Sequence, residues 1–414
     1  MWRSIMNCPC DTGKLQSFES ALAQLLSAAI PIQETEIIAL DHALGRVVAR
    51  DMSSSIAVPP ADNSAMDGYA VRYADIVSGQ ILPISQRVAA GQRAEAIKSG
   101  TVVRLFTGSE IPEGADTVIM QEESILEDDG VRFTTLPKQG EHIRRAGQDI
   151  NIGDQIIAQG TLLAPQHLGV LASIGIAEVS VYRRLKVAVL NTGDELVMPG
   201  ASCPKGKIYN SNYFTLAGLL TRLGCDVWTP GVVKDTPEAT AQALAKAAVK
   251  ADVIISSGGV SVGEEDHVKA AVESLGSLNL WRLAIKPGKP LAFGEVKGTP
   301  FIGLPGNPSA VLVTFLMLAR PYLMKMQGHN KQQPKSYPVL AGFDRDKLVQ
   351  RKEFLRVSVA NDNGRLMAIP ARSQSSGILS SAVMADGLLV IPELHPIERG
   401  ASYMFIPFTE LGAI

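Results

Sequence analysis

Three glycines followed by three acids occupy Ser256-Ser-Gly-Gly-Val-Ser-Val-Gly-Glu-Glu-Asp266, an order that suits a phosphate held through a divalent cation. Gly258, Gly259 and Gly263 admit backbone angles closed to other residues and let main-chain N–H groups approach an anion. A helix expected from His267 adds partial positive charge at its start. Glu264, Glu265 and Asp266 then stand beside that anion, which makes sense with a metal ion between them. Read alone, the stretch is better taken as a capped first turn of an ordinary α/β unit, because such loops recur without function. Three more loops change that reading. Asn191-Thr-Gly-Asp-Glu195 supplies two acids, Asp194 and Glu195, in a tight turn; with Asp266 they suit Mg²⁺ on a pyrophosphate. Arg282-Leu-Ala-Ile-Lys286-Pro-Gly-Lys289-Pro290 sets three cations among stiffening prolines, which suits an oxyanion. Leu304-Pro305-Gly-Asn307-Pro308-Ser309 precedes a long helix, whose free N–H groups are expected to face the same crevice.

A further acid stands elsewhere. In Val58-Pro-Pro-Ala-Asp-Asn-Ser-Ala-Met-Asp67-Gly-Tyr-Ala-Val71 a proline pair and polar residues form an irregular loop that presents Asp67, either a structural corner or a site. Thr107 opens another polar loop, and Arg144 and Arg145 precede Asp149; alone, exposed arginines read as a solvated face. The histidines show no metal-ligand spacing.

The elements that must position these groups follow from periodicity. Residues 186–327 alternate apolar strands with helical patterns, including an alanine-rich helix over 236–250 with Pro237 in its first turn, so a doubly wound α/β domain with a largely parallel sheet is expected. All four loops fall at strand ends, where such sheets bind ligands. Short strands over 81–154 predict a small β domain, and those after residue 331 a β-barrel-like domain. A helix from Ser17 to Ala29 is expected to pack on the segment 162–181. The resulting domains are 1–54 with 154–185 (discontinuous, mixed), 55–153, 186–328 and 329–414.

Across 414 residues, 46% are hydrophobic and 19% charged, a globular composition, and a net charge of −2 argues against nucleic acid as the main partner. Four cysteines, Cys8, Cys10, Cys203 and Cys225, offer neither metal-site spacing nor a disulfide framework, so reduced cytoplasmic thiols are expected. The apolar stretch near 311–319 is read as too short to span a bilayer, and the first residues show no signal region, so neither a membrane partner nor export is expected.

Five segments, Asp62-Asn-Ser-Ala-Met-Asp-Gly-Tyr-Ala-Val71, Asn191-Thr-Gly-Asp-Glu-Leu196, Ser257-Gly-Gly-Val-Ser-Val-Gly263, Ile285-Lys-Pro-Gly-Lys-Pro290 and Gly303-Leu-Pro-Gly-Asn-Pro308, resemble in order and spacing the signatures of the molybdopterin molybdenumtransferases, the MoeA and gephyrin E-domain family. The resemblance runs from about Leu15 to the C-terminus. It implies a MogA-like molybdopterin-binding α/β domain, and insertion of molybdenum from molybdate into adenylylated molybdopterin with Mg²⁺ and release of AMP. It also implies an elongated homodimer, each cleft combining one subunit's α/β domain with the other's N-terminal region, and a molybdopterin adenylyltransferase as upstream partner. By motif position it carries over Asp67, Thr107, Asp149, Glu195, Asp235 and Asp266 as the acidic and polar site, with Arg356 and Ser376 from the last domain. Arg282, Lys286 and the Pro305 to Pro308 turn then suit molybdate, and Ser261 with the glycine loop suits the adenylate. Two departures stand out: Arg282 replaces the family's Lys with a bidentate fork, and the segment before Leu15 has no counterpart. The alternatives are the preceding adenylyl transfer, which needs only the α/β domain, and a non-catalytic pterin-binding scaffold.

Overall fold

The computed structural model of the chain describes residues 15–259 and 267–413. One seven-stranded sheet runs in the order Asp226–Trp228, Lys186–Thr192, Val253–Ser257, Thr299–Leu304, Pro290–Val296, Gly276–Arg282, with Val232–Val233 also on Lys186–Thr192. The strands as far as Thr299–Leu304 are parallel and the last two antiparallel. Successive strand residues face opposite sides. Val187, Val189, Val253 and Ile255 pack under one helical layer that includes Leu216, Leu220 and Leu316. Ala188, Leu190 and Ile254 meet Leu244 and Val268 of the other layer. Apolar cover on both faces is why Val253–Ser257 carries an unbroken β-branched run and is buried throughout. Thr236 caps its helix by accepting from the Ala239 N–H, with Pro237 next to it.

The helix Pro308–Met326 corrects one expectation. Its 19 residues are long and apolar enough to cross a bilayer, yet 94% of the apolar window is buried inside the protein, so it is a core helix. A second correction concerns Phe18–Ala28. This helix does not pack on 162–181: Ala21 and Leu25 enter the α/β core with Leu316 and Tyr322, and Phe18 meets Phe354 edge-on with ring centroids 5.4 Å apart. The long helix offers a wider apolar face than the short amphipathic segment 165–173. Thr35–Ala39 instead joins the two separated pieces, pairing antiparallel with Glu178–Tyr182 over a core containing Val48, Ile157, Leu171 and Val181.

Residues 68–133 form a four-stranded and a three-stranded sheet that share one apolar cluster, with Tyr69, Ile119, Val131 and Phe133, while a second cluster with Ala70, Val103 and Val118 covers the other face of the four-stranded sheet. In the last region Lys352–Asp362 pairs with both Arg365–Pro370 and Gly387–Ile391, and the circuit closes through Tyr337–Ala341 and Ser402–Pro407. That is a closed five-stranded barrel. Closure removes the unpaired edges an open sheet would expose.

The N-terminal region is clamped to the α/β sheet by Arg183, whose guanidinium donates to both carboxylate oxygens of Asp252 at 2.7 and 2.9 Å, while the Lys186 N–H donates at 2.8 Å. Burial pushes the Asp252 carboxyl up, but the Arg183 and Lys186 donors and charges outweigh it and hold it below its ordinary 3.8. A lowered folded value gives stability that is present above the unfolded value and is lost as pH falls through the folded one. Asp252→Asn is therefore expected to remove about 1–2 kcal/mol at neutral pH. In urea unfolding the gap from the unmodified protein should shrink as pH drops below 3.8; a gap independent of pH would refute the clamp.

Candidate active site

The parallel strands place their carboxyl ends in a row. At the end of Lys186–Thr192 stand Asp194 and Glu195, both exposed; Asp194 Oδ1 accepts from the Asp235 N–H at 3.3 Å, and its carbonyl from Lys207 Nζ. At the end of Val253–Ser257 the chain turns through Gly258 and Gly259. Gly259 has φ +66°, and a Cβ there would lie 2.4 Å from Val268 Cγ2, so only glycine fits. Ser257 is buried behind this turn, where its Oγ accepts from Asn191 Nδ2 at 2.5 Å. Ser261, Gly263 and Asp266, with Glu264 and Glu265, lie outside the described residues, as do Cys8 and Cys10. Among the described residues no three His, Cys, Asp or Glu side chains gather as a metal site.

Beside this row a cavity of about 570 Å³ opens between the α/β sheet and the barrel. Gly258, Gly259, Pro305, Gly306 and Asn307 line one side, Lys286 to Pro290 another, and Arg351 with Gln374, Ser375 and Ser376 the third. Three cations, Lys286, Lys289 and Arg351, thus converge, and among the described residues no carboxylate lines the cavity. Lys286 Nζ lies 3.0 Å from Glu353 Oε1, within ion-pair range although off a hydrogen-bond axis. Arg351 Nη1 donates to the Ile285 carbonyl at 3.3 Å.

Several expected site residues fall elsewhere. Arg282 does not line the cavity: it ends the strand Gly276–Arg282, where alternation buries Trp281 and turns Arg282 outward. Arg356 is fully buried on the outer face of its barrel strand, opposite the face by which Leu355 and Val357 enter the barrel core, and it does not line the cavity. Its Nε donates to Ser381 Oγ at 2.8 Å and its Nη2 to the Ser375 and Ser373 carbonyls at 3.1 and 3.3 Å, so it fixes the loop that carries Ser376. Nor is the start of the 308–326 helix free to donate to a ligand. The Ser309 N–H goes to the Ser376 carbonyl at 2.9 Å, those of Ala310 and Val311 go to the Asn307 carbonyl, and Pro308 has no N–H.

Asp67 and Thr107 meet each other but not the cavity. Asp67 Oδ1 accepts from the Thr107 N–H at 2.7 Å and its hydroxyl at 2.8 Å. Those two bonds, the backbone one foremost, hold the Asp67 carboxyl below its ordinary range, so it is ionised. The next residue sets the position: a Cβ on Gly68 would lie 2.0 Å from the Ile119 carbonyl oxygen, so only glycine lets the two strands approach. Asp149 is exposed on the neighbouring loop, with its N–H on the Val58 carbonyl at 2.9 Å. Arg145 is engaged with Asp62 at 2.6 Å.

Arg351 and Gln374 were not singled out by the sequence. Their only signal was a basic residue opening a strand pattern and a polar cluster before a short helix.

Residues 16–175 match the MoeA N-terminal region (domain I and II), 188–325 the probable molybdopterin binding domain, and 339–408 the MoeA C-terminal region (domain IV). The chain is 42% identical over 383 residues to a molybdopterin molybdenumtransferase of Haemophilus influenzae, covering 91% of this chain and 95% of that one. The chain belongs to the molybdopterin molybdenumtransferase family. As a family member it is a transferase of molybdenum cofactor biosynthesis. A Nostoc molybdopterin molybdenumtransferase is 39% identical over 72% of this chain and 70% of its own length. Among solved structures, the molybdopterin biosynthesis moeA protein of Pyrococcus horikoshii superposes with a TM-score of 0.82 at 30% identity, covering 95% of this chain and 100% of that one.

If Arg356 holds the loop rather than a ligand, Arg356→Met should lower stability by about 1–3 kcal/mol in urea unfolding, because three acceptors lose their donor. Limited proteolysis should then cut first within residues 371–378. Unchanged stability with lost substrate binding would return Arg356 to the ligand.

Proposed function

We propose that this transferase inserts molybdenum from molybdate into adenylylated molybdopterin and releases AMP, acting as a homodimer with Mg²⁺. One observation carries the reading: a cavity lined by Lys286, Lys289 and Arg351, with no carboxylate among its described lining residues, opens beside the carboxyl ends of the parallel strands. Molybdate is a small oxyanion, and fixed cations in a partly dry cleft bind such an anion more strongly than they would in water. Matches over all three regions also favour metal insertion over adenylyl transfer, which would need only the α/β unit.

The cations hold molybdate near the glycine turn, and the turn's backbone receives the phosphates of the pterin nucleotide. Molybdenum passes to the substrate's dithiolene sulfurs as their protons leave with molybdate oxygens as water, and water opens the phosphoanhydride to release AMP. Protein thiolates are not needed for that transfer, in keeping with Cys225 being buried and pushed up to about 12 by burial foremost. Mg²⁺ takes one or two carboxylates together with waters and phosphate oxygens. Asp194 and Glu195, two exposed carboxylates at a strand end, fit that demand, and the ion would neutralise the phosphates. Ser376 borders the cavity through the loop that Arg356 fixes.

Asp67 and Thr107 do not line this cavity within one chain. In the proposed dimer the partner's corner completes each cleft and brings an ionised Asp67 to the substrate. The direct test incubates the protein with adenylylated molybdopterin, Mg²⁺ and molybdate and follows AMP; binding of the nucleotide without AMP release would favour the scaffold reading. Asp67→Ala and Lys286→Met chains should each be inactive. When mixed under conditions of subunit exchange they should recover about a quarter of full activity, from half the dimers times half their clefts. An exchanged but inactive mixture would rule out the shared cleft.

A further inference from the structure

Glu353 is the one carboxylate among the fully buried described residues, 1% exposed, and it lies behind the cationic cavity without lining it. A buried carboxylate survives in a fold only when cations or donors compensate it. Two do so here. Arg345 Nη2 meets Glu353 Oε2, and Lys286 Nζ stands 3.0 Å from Oε1. The backbone enforces this meeting, because Ile285–Lys286 pairs in parallel with Lys352–Glu353, putting Lys286 directly opposite Glu353. The Lys352 N–H also donates to the Ala284 carbonyl at 2.8 Å. Lys286 lies in the chain between two strands of the α/β sheet and Glu353 on a barrel strand, so the pair ties the second wall of the cavity to the barrel behind it.

We propose that Glu353 is a positioning residue of the transferase: it holds the Lys286 ammonium at the cavity wall, Arg345 shares its charge, and the anchored lysine sets affinity for the metal oxyanion. The inference rests on reading the cavity as the molybdate site. Lysine carries a flexible four-carbon stem, so an unanchored ammonium would spread over many rotamers and bind a small anion poorly. Sharing one carboxylate between two cations leaves a net positive charge for the ligand, which a private Lys–Glu pair would cancel.

In Glu353→Gln, molybdate binding measured by calorimetry should weaken roughly tenfold, while KM for the pterin nucleotide should change less than about twofold. In a Lys286→Met background Glu353→Gln should add no further loss, since it acts through that lysine. Acetylation of Lys286 by acetic anhydride, read by mass spectrometry against Lys289 as internal control, should speed up several-fold in Glu353→Gln. If that variant does not fold, Arg345→Met serves in its place: it leaves the whole carboxylate to Lys286, so Lys286 acetylation should slow and molybdate binding weaken. Unchanged Lys286 labelling, or an equal loss of molybdate binding in the Lys286→Met background, overturns the proposal. If Lys286→Met itself leaves molybdate binding intact, the oxyanion reading falls and this role with it, while the labelling still shows whether Glu353 holds the lysine.

Discussion

The first N–H groups of an α-helix have no partner inside the helix, and at the start of the 308–326 helix the solution ties two domains together. The Ser309 N–H goes to the Ser376 carbonyl, and the Ser309 hydroxyl donates to the Ile378 carbonyl at 2.7 Å. A loop of the barrel is thereby seated on the carboxyl edge of the parallel sheet. Without that docking the cavity would have only two walls. The same contact removes the helix start as an anion site and leaves side-chain cations to do the work. Phosphate binding at helix starts is common, but a helix whose N–H groups are already satisfied cannot provide it.

Charge is then distributed by burial. Arg356, fully buried without a carboxylate partner, donates through Nε and Nη2 to a hydroxyl and two carbonyls while its Nη1 has no hydrogen-bond partner, and burial pushes its guanidinium below the usual value. Glu353, equally buried, has two cations. One group shapes the loop on the third wall and the other steadies a lysine on the second. Neither touches the cavity, yet what the cavity presents depends on both.

The candidate site residues fall in two separate places in one chain. The Asp67 and Thr107 corner is built on a close strand crossing that only Gly68 permits, and the cationic cavity is built on the sheet edge and barrel. In the dimer proposed above, a corner held by Thr107 and a cavity held by Ser309 and Glu353 would be brought together without either being remodelled.

Much of the architecture was legible in local pattern. The Val-Ile-Ile run announced a strand covered on both faces, Thr236 with Pro237 marked a helix start, and the glycine turn fell at a strand's carboxyl end, because burial on two faces, capping and backbone freedom are all decided within a few residues. Pairings between distant segments were not legible. Lys286 and Lys289 reach the cavity while Arg282, in the same basic run, faces outward, since the strand persists to Arg282 before the chain turns. Arg351, Glu353 and Gln374 join the site across more than sixty residues only because a barrel strand pairs with Ile285–Lys286. The Phe18–Ala28 helix showed its apolar stripe in the sequence, but which partner covers it was decided by the larger apolar face on offer. Periodicity tells which side of an element must be hidden from water; what hides it depends on the relative shape and size of surfaces that meet only after folding.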